Sequence, residues 1–212
     1  MKLSAEQKER VEELLAQMTL EEKIGQMNLE SPSIVGGFDV PFEELIEMMT
    51  DGRLSKEEFQ KIMSTAQRDY HEDDIRAGMV GAMMADDPRK NNELQKIAVE
   101  ESRLGIPMLT GFDVIHGLRT VYPIAIAEAG TFDPELFERT AHLAARESRA
   151  HGINWNFAPM IDVARDSRWG RVSEGPGEDP YLGSTFARAK IRDSRAIHRI
   201  RADYVAACLK TL

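Results

Sequence analysis

A chain of 212 residues, 42% of them hydrophobic, can bury the core of one or two domains. Its 27 basic and 36 acidic residues leave a formal charge of -9, which excludes the basic footprint that nucleic acid needs and argues against an anionic membrane surface. A single cysteine, Cys208, rules out an internal disulfide. With no run of 18 apolar residues and no apolar stretch of leader length, the sequence as written reads as cytoplasmic; a periplasmic or secreted location stays open if a leader was removed.

In chain order, Val11, Leu14, Leu15 and Met18 recur at helical spacing and predict a first helix. Thr19 with Glu22 is a capping-box pair opening a second, short helix through Ile24 and Met27. Pro32, Gly36 and Gly37 break the pattern, and Ser55 with Glu58 opens another helix through Phe59, Ile62 and Met63. Residues 1–78 therefore read as a helical lead-in without strands. From residue 79 to 212 the rhythm changes. Short apolar runs at 80–84, 107–112, 153–160 and 205–209 alternate with helical stretches at 89–104, from Asp133-Pro134 to about Gly152, and from Tyr181 to Ile200. The runs are continuously apolar rather than alternating, the mark of parallel strands covered on both faces. The expected fold is α/β: about four parallel βα units behind a helical lead-in.

Polar residues gather at one end of these runs. Asp113, Asp162 and Lys210 each close a predicted strand, and the loops beyond carry His116, Arg119, Arg168, Arg171, Glu174, Glu178 and Asp179. Parallel α/β folds bind ligands at that strand end. Carboxylates, arginines and a lysine beside Trp169 suit a neutral polyhydroxylated ligand, because a hydroxyl donates to a carboxylate and accepts from a cation. Each such charge-assisted bond contributes about 1.5–3 kcal/mol. Structural roles compete at every position. A strand-end aspartate also caps turns, Arg168 and Glu174 read as a pair pinning the long loop, His116 reads as a loop stabiliser, and Cys208 as a small buried hydrophobe. Gly175-Pro176-Gly177 is no phosphate loop, no zinc spacing occurs, and there is no nucleophile elbow. No metal or cofactor is expected.

Four segments in order carry a specific resemblance. They are the opening from Leu15 to Met27; Phe112-Asp113-Val114-Ile115-His116-Gly117 with Arg119 to Pro123; Asn154 to Val163; and Arg168-Trp169-Gly170-Arg171 with Ser173-Glu174-Gly175 and Gly177 to Pro180. Together they resemble glycoside hydrolase family 3, in its β-glucosidase and β-xylosidase branch. The resemblance covers nearly the whole chain and implies a (β/α)8 TIM-type barrel. It implies that Asp113, Arg171 and Lys210 hold hydroxyls of the sugar before the scissile bond, and that Trp169 shapes the pocket wall.

Two departures follow from that resemblance. The family carries a histidine after the Lys210 position, where this chain has Thr211. The family's nucleophile sits in a Ser-Asp motif, and no Ser-Asp dipeptide occurs here. Retaining hydrolysis needs two carboxyl groups about 5–5.5 Å apart, and neither the nucleophile nor the acid/base is recognisable. The 134 or so residues after the lead-in are roughly half of the ~250 in a full barrel. The expectation is therefore a fragment of a retaining, exo-acting β-glucosidase-like hydrolase, inactive alone, with no catalytic residue of its own. The rival is a non-catalytic carbohydrate-binding or structural half-barrel that works by assembly. Expected partners are a β-linked glucoside or related sugar, and a C-terminal half-barrel or a second copy of the chain, because open sheet edges invite pairing.

Overall fold

The computed structural model describes residues 3–35, 41–65, 67–194 and 204–211. Helix α1 (Ala5–Gln17) starts at a capping box, in which the Ser4 hydroxyl accepts from the Gln7 N–H and the Gln7 side chain accepts from the Ser4 N–H. Thr19 and Glu22 do the same for α2 (Leu20–Gly25). Strands β1 (Leu29–Glu30) and β2 (Ser33–Val35) follow, then α3 (Phe42–Thr50) and α4 (Lys56–Thr65), which Ser55 and Glu58 cap. Next come β3 (Gln67–Asp69), α5 (Glu72–Arg76), β4 (Ala82–Met84) and α6 (Pro88–Lys96), which runs on into a π-helical turn, Ile97–Glu101. The second half contains β5 (Leu109–Phe112), α7 (Ala125–Ala129), α8 (Pro134–Ala150), β6 (Trp155–Asn156), α9 (Pro180–Ser194) and β7 (Ala206–Ala207).

Five strands form one sheet in the order β1-β4-β5-β6-β7, every neighbouring pair parallel. The fold is α/β, as the alternating pattern implies, and the four predicted runs each contain a strand. The ladders are shorter than the runs. Beyond β6 and β7 the two segments stay in contact through the bond from the Cys208 N–H to the Ala158 carbonyl and through a parallel bridge, Met160 to Lys210. Part of the predicted helix that ends at Ile200 lies outside the described residues.

The strand-free lead-in is corrected. Leu29–Glu30 adds a fifth strand beside β4, and β2 pairs antiparallel with β3 as a separate ribbon. Two or three residues carry no readable periodicity, so these strands leave no pattern in the sequence. Close backbone contact makes the β1 junction possible. The N–H groups of Gly81 and Ala82 both donate to the Asn28 carbonyl, at 3.1 and 3.0 Å. A Cβ on Gly81 would lie 2.3 Å from the Gln26 carbonyl oxygen.

The core lies in two clusters. One gathers Ile75, Val80, Met83, Leu94, Ile97 and Met108 between the sheet, α5 and α6 with its π-helical turn. The other packs α7, α8 and α9 through Ala125, Ala129, Phe137, Phe186 and Ala189, with the Phe137 and Phe186 rings edge to face at 5.0 Å. Helix α1 buries no residue; Val11 and Leu15 on its apolar face are exposed.

Gly81→Ala should cost about 1–3 kcal/mol, because the added methyl meets backbone rather than a movable side chain. Urea unfolding measures this, and an unchanged midpoint would contradict the proposed role of the β1 junction.

Candidate functional site

The parallel register carries polar residues to a common end of the sheet. Asp113 follows the last residue of β5, and its backbone is fixed from the neighbouring strand. The Val114 N–H donates to the Asn156 side-chain oxygen at 3.0 Å, and the Asn156 amide donates back to the Val114 carbonyl at 3.4 Å. Asn154 accepts from the Thr110 N–H at 2.9 Å. These two asparagines, whose roles sequence reading missed, stitch β5 to β6 by side chain as well as by ladder. Lys210 arrives through its bridge to Met160, with its carbonyl accepting from the Ile161 N–H at 3.2 Å.

The long loop after β6 is folded back on itself. The Ala164 N–H donates to the Gly177 carbonyl at 3.0 Å, and Gly177 has φ +105, a conformation that favours glycine. Within this loop a single 3-10 turn, Val172–Glu174, carries the residues that matter. Arg171 grips Glu174 with two parallel bonds, Nε to Oε1 at 2.7 Å and a terminal nitrogen to Oε2 at 2.6 Å.

Lys210 Nζ lies 2.5 Å from Asp113 Oδ2 and 3.6 Å from Glu174 Oε2. Asp113, Lys210, Glu174 and Arg171 thus form a chain of alternating charge. All four line one open depression of about 440 Å³, with Ile115, Ile124 and Ala125 as an apolar wall and His116 and Ser173 at its edge. The Arg171 fork holds the Glu174 carboxyl below the usual carboxylate range, with Lys210 adding to the effect. The same bond raises Arg171, helped by the fields of Asp113 and Asp162.

Of the residues singled out from sequence, Asp113, Arg171 and Lys210 come together here. Trp169 does not line the depression; it sits half-buried on the turn from Asp166, its N–H donating to the Asp166 carbonyl at 3.1 Å. The expected Arg168 to Glu174 pair is corrected. Arg168 is exposed and binds Asp166 two residues away, a local fork that needs no tertiary contact, which leaves Glu174 to Arg171. Asp179 caps α9 through the Tyr181 N–H at 2.8 Å. The carbonyl of His116 accepts from the Tyr122 N–H at 2.8 Å, and the residue borders the depression. Cys208 is partly exposed rather than buried. Among the described residues, no group of three His, Cys, Asp or Glu side chains could hold a metal ion.

Fold and site together define an α/β domain with a charge-balanced polar site at the carboxyl ends of its parallel strands. The chain belongs to glycosyl hydrolase family 3: residues 19–210 match the model of the family's N-terminal domain. It is 37% identical over 182 residues to a periplasmic β-glucosidase of Salmonella typhimurium, covering 86% of this chain and 20% of that protein. A β-xylosidase of Formosa agariphila is 41% identical over 125 residues, 54% of this chain and 17% of that one. Among solved structures, a β-glucosidase from Listeria innocua in complex with glucose superposes with a TM-score of 0.71 at 32% identity, covering 95% of this chain and 26% of its own. The chain therefore spans about a fifth to a quarter of the length of these β-glucosidases. No described helix is long and apolar enough to cross a membrane.

The Glu174 pair has a defined pH window. Its carboxyl is lowered in the folded chain, so its contribution is present above the ordinary glutamate value of about 4.3 and is lost as pH falls through the lower folded value. A carbon-13 titration of the Glu174 carboxyl should give a midpoint below that ordinary value. A midpoint at or above it would contradict the fork.

Proposed function

We propose that this chain supplies the sugar-holding part of a β-glucosidase-type, exo-acting glycoside hydrolase, and that the nucleophile and the acid/base come from outside these 212 residues. The observation that carries the reading is the quartet Asp113, Lys210, Glu174 and Arg171 lining one depression. Two carboxylates and two cations sum to no net charge, so the site favours neither phosphate nor carboxylate ligands. A pyranose offers hydroxyls that donate to Asp113 and accept from Lys210 and Arg171. Its less polar ring face suits the wall of Ile115, Ile124 and Ala125.

The catalytic half of the reading rests on the same residues. Asp113 is engaged by Lys210, and Glu174 is held ionised by Arg171, so Glu174 is a poor proton donor at neutral pH. The names of the relatives favour glucosides or xylosides as the substrate class. The exposed side chains of Leu20, Ile24, Met27 and Leu29 along α2 and β1 favour assembly with a further barrel segment or a second copy.

The test is calorimetry with glucose together with an aryl β-glucoside assay on the chain by itself. Glucose should bind, Asp113→Ala should weaken it at least tenfold, as the loss of about 1.4 kcal/mol or more from a charged hydrogen bond requires, and turnover should be absent. Binding indifferent to Asp113→Ala would overturn the site. Turnover that disappears in Glu174→Gln would show that the chain holds its own acid.

A further inference from the structure

Behind the depression, three helices meet at a buried ion pair. Lys190 of α9 lies 2.7 and 2.6 Å from the two carboxylate oxygens of Glu128 of α7, and 2.8 Å from the hydroxyl of Thr140 of α8. The Thr140 hydroxyl donates to Glu128. Glu128 is 2% exposed and Lys190 9%. The ammonium also sits 5.2 Å from the centre of the Phe186 ring. Stability alone is a weak reason for such a group, because well-packed apolar residues hold a core as well as a buried ion pair does.

Its place in the fold supplies a better reason. Helix α7 has only five residues, too few to hold its position by its own hydrogen bonds. Its first residue, Ala125, and the preceding Ile124 border the depression, and α7 packs against the turn that carries Glu174. A small cavity of about 20 Å³ joins the two regions, with Thr140 and Lys190 among its lining on one side and His116 and Glu174 on the other. Charge-assisted hydrogen bonds are directional, so they fix the depth and rotation of a short helix in a way that apolar contacts do not.

We infer that Glu128, Thr140 and Lys190 are positioning residues of the site: they lock α7 onto α8 and α9, and α7 holds the 172–174 turn where Glu174 receives Arg171 and faces Lys210. Burial lowers the Lys190 pKa while Glu128 opposes the shift, as a desolvated but paired ammonium requires. The inference rests on the proposed sugar site for its binding readout only.

Two readouts on the 212-residue chain test it. The first is solvent exchange of the Arg171 Nε–H, followed by NMR without any sugar. The second is calorimetric titration with glucose. In E128L/K190M, which replaces the pair by apolar residues, exchange should quicken about tenfold and glucose affinity fall about tenfold, while the thermal midpoint stays within a few degrees. Thr140→Val, which keeps the ion pair and removes the hydroxyl's bonds to Glu128 and Lys190, should shift both readouts about threefold. Arg103→Ala, at the remote Glu22 pair, should shift neither. Unchanged Arg171 exchange in folded E128L/K190M overturns the inference. If that variant does not fold, unchanged exchange in Thr140→Val overturns it. If exchange responds in the variants but the parent chain binds no glucose, the sugar reading fails and the positioning role stands.

Discussion

Lys210 stands between two carboxylates, and the parallel register of β5, β6 and β7 is what brings it there. Asp113 follows one strand, Lys210 follows another, and β6 lies between them, tied to both sides by ladder bonds and to β5 by Asn154 and Asn156. An ion pair this open to water contributes at most about 1 kcal/mol to stability. Its importance is geometric: a lysine held 2.5 Å from one carboxylate and 3.6 Å from another is already oriented before any ligand arrives. Glu174 in turn is aimed by Arg171, so each member of the quartet is oriented by the next.

The molecule uses charge in two contrasting ways. At the strand ends four charged groups share an open depression, where water screens them and a neutral ligand can replace some of that water. In the core, Lys190 and Glu128 are sealed between helices and bond to each other and to Thr140. The open set is suited to exchange partners with a ligand, and the sealed set is suited to hold a fixed geometry. The cavity lined by Thr140, Lys190, His116 and Glu174 is where the two sets come nearest. On the proposed reading the first recognises a sugar ring and the second keeps the recognising residues in register.

Much of this was legible in the sequence. The capping pairs at Thr19 and Ser55, the Asp133-Pro134 helix start and the apolar runs each depend on local chemistry, and each has its counterpart in the structure. Asp113 and Lys210 were visible as polar residues closing apolar runs. What stayed hidden is tertiary. Leu29–Glu30 becomes a strand because Gly81 admits close backbone contact, not through any pattern of its own. Asn156 reads as one polar residue in an apolar run until its bonds to Val114 are seen. Glu128 and Lys190 are 62 residues apart, and each looks like an ordinary surface charge on a helix. Arg168 and Arg171 lie in one short segment with Asp166 and Glu174, and the spacing alone does not say which arginine takes which carboxylate; the fold pairs Arg168 with Asp166 and Arg171 with Glu174.

On the proposed reading a charge-balanced quartet at the strand ends selects a neutral sugar ring. Titration of the chain with glucose and with glucuronate, which differ by a carboxylate at one position, tests it most directly. Glucose should bind measurably and glucuronate at least several-fold more weakly, because both cations that line the depression, Arg171 and Lys210, are already paired with carboxylates. Glucuronate binding as tightly as glucose, or more tightly, would contradict it.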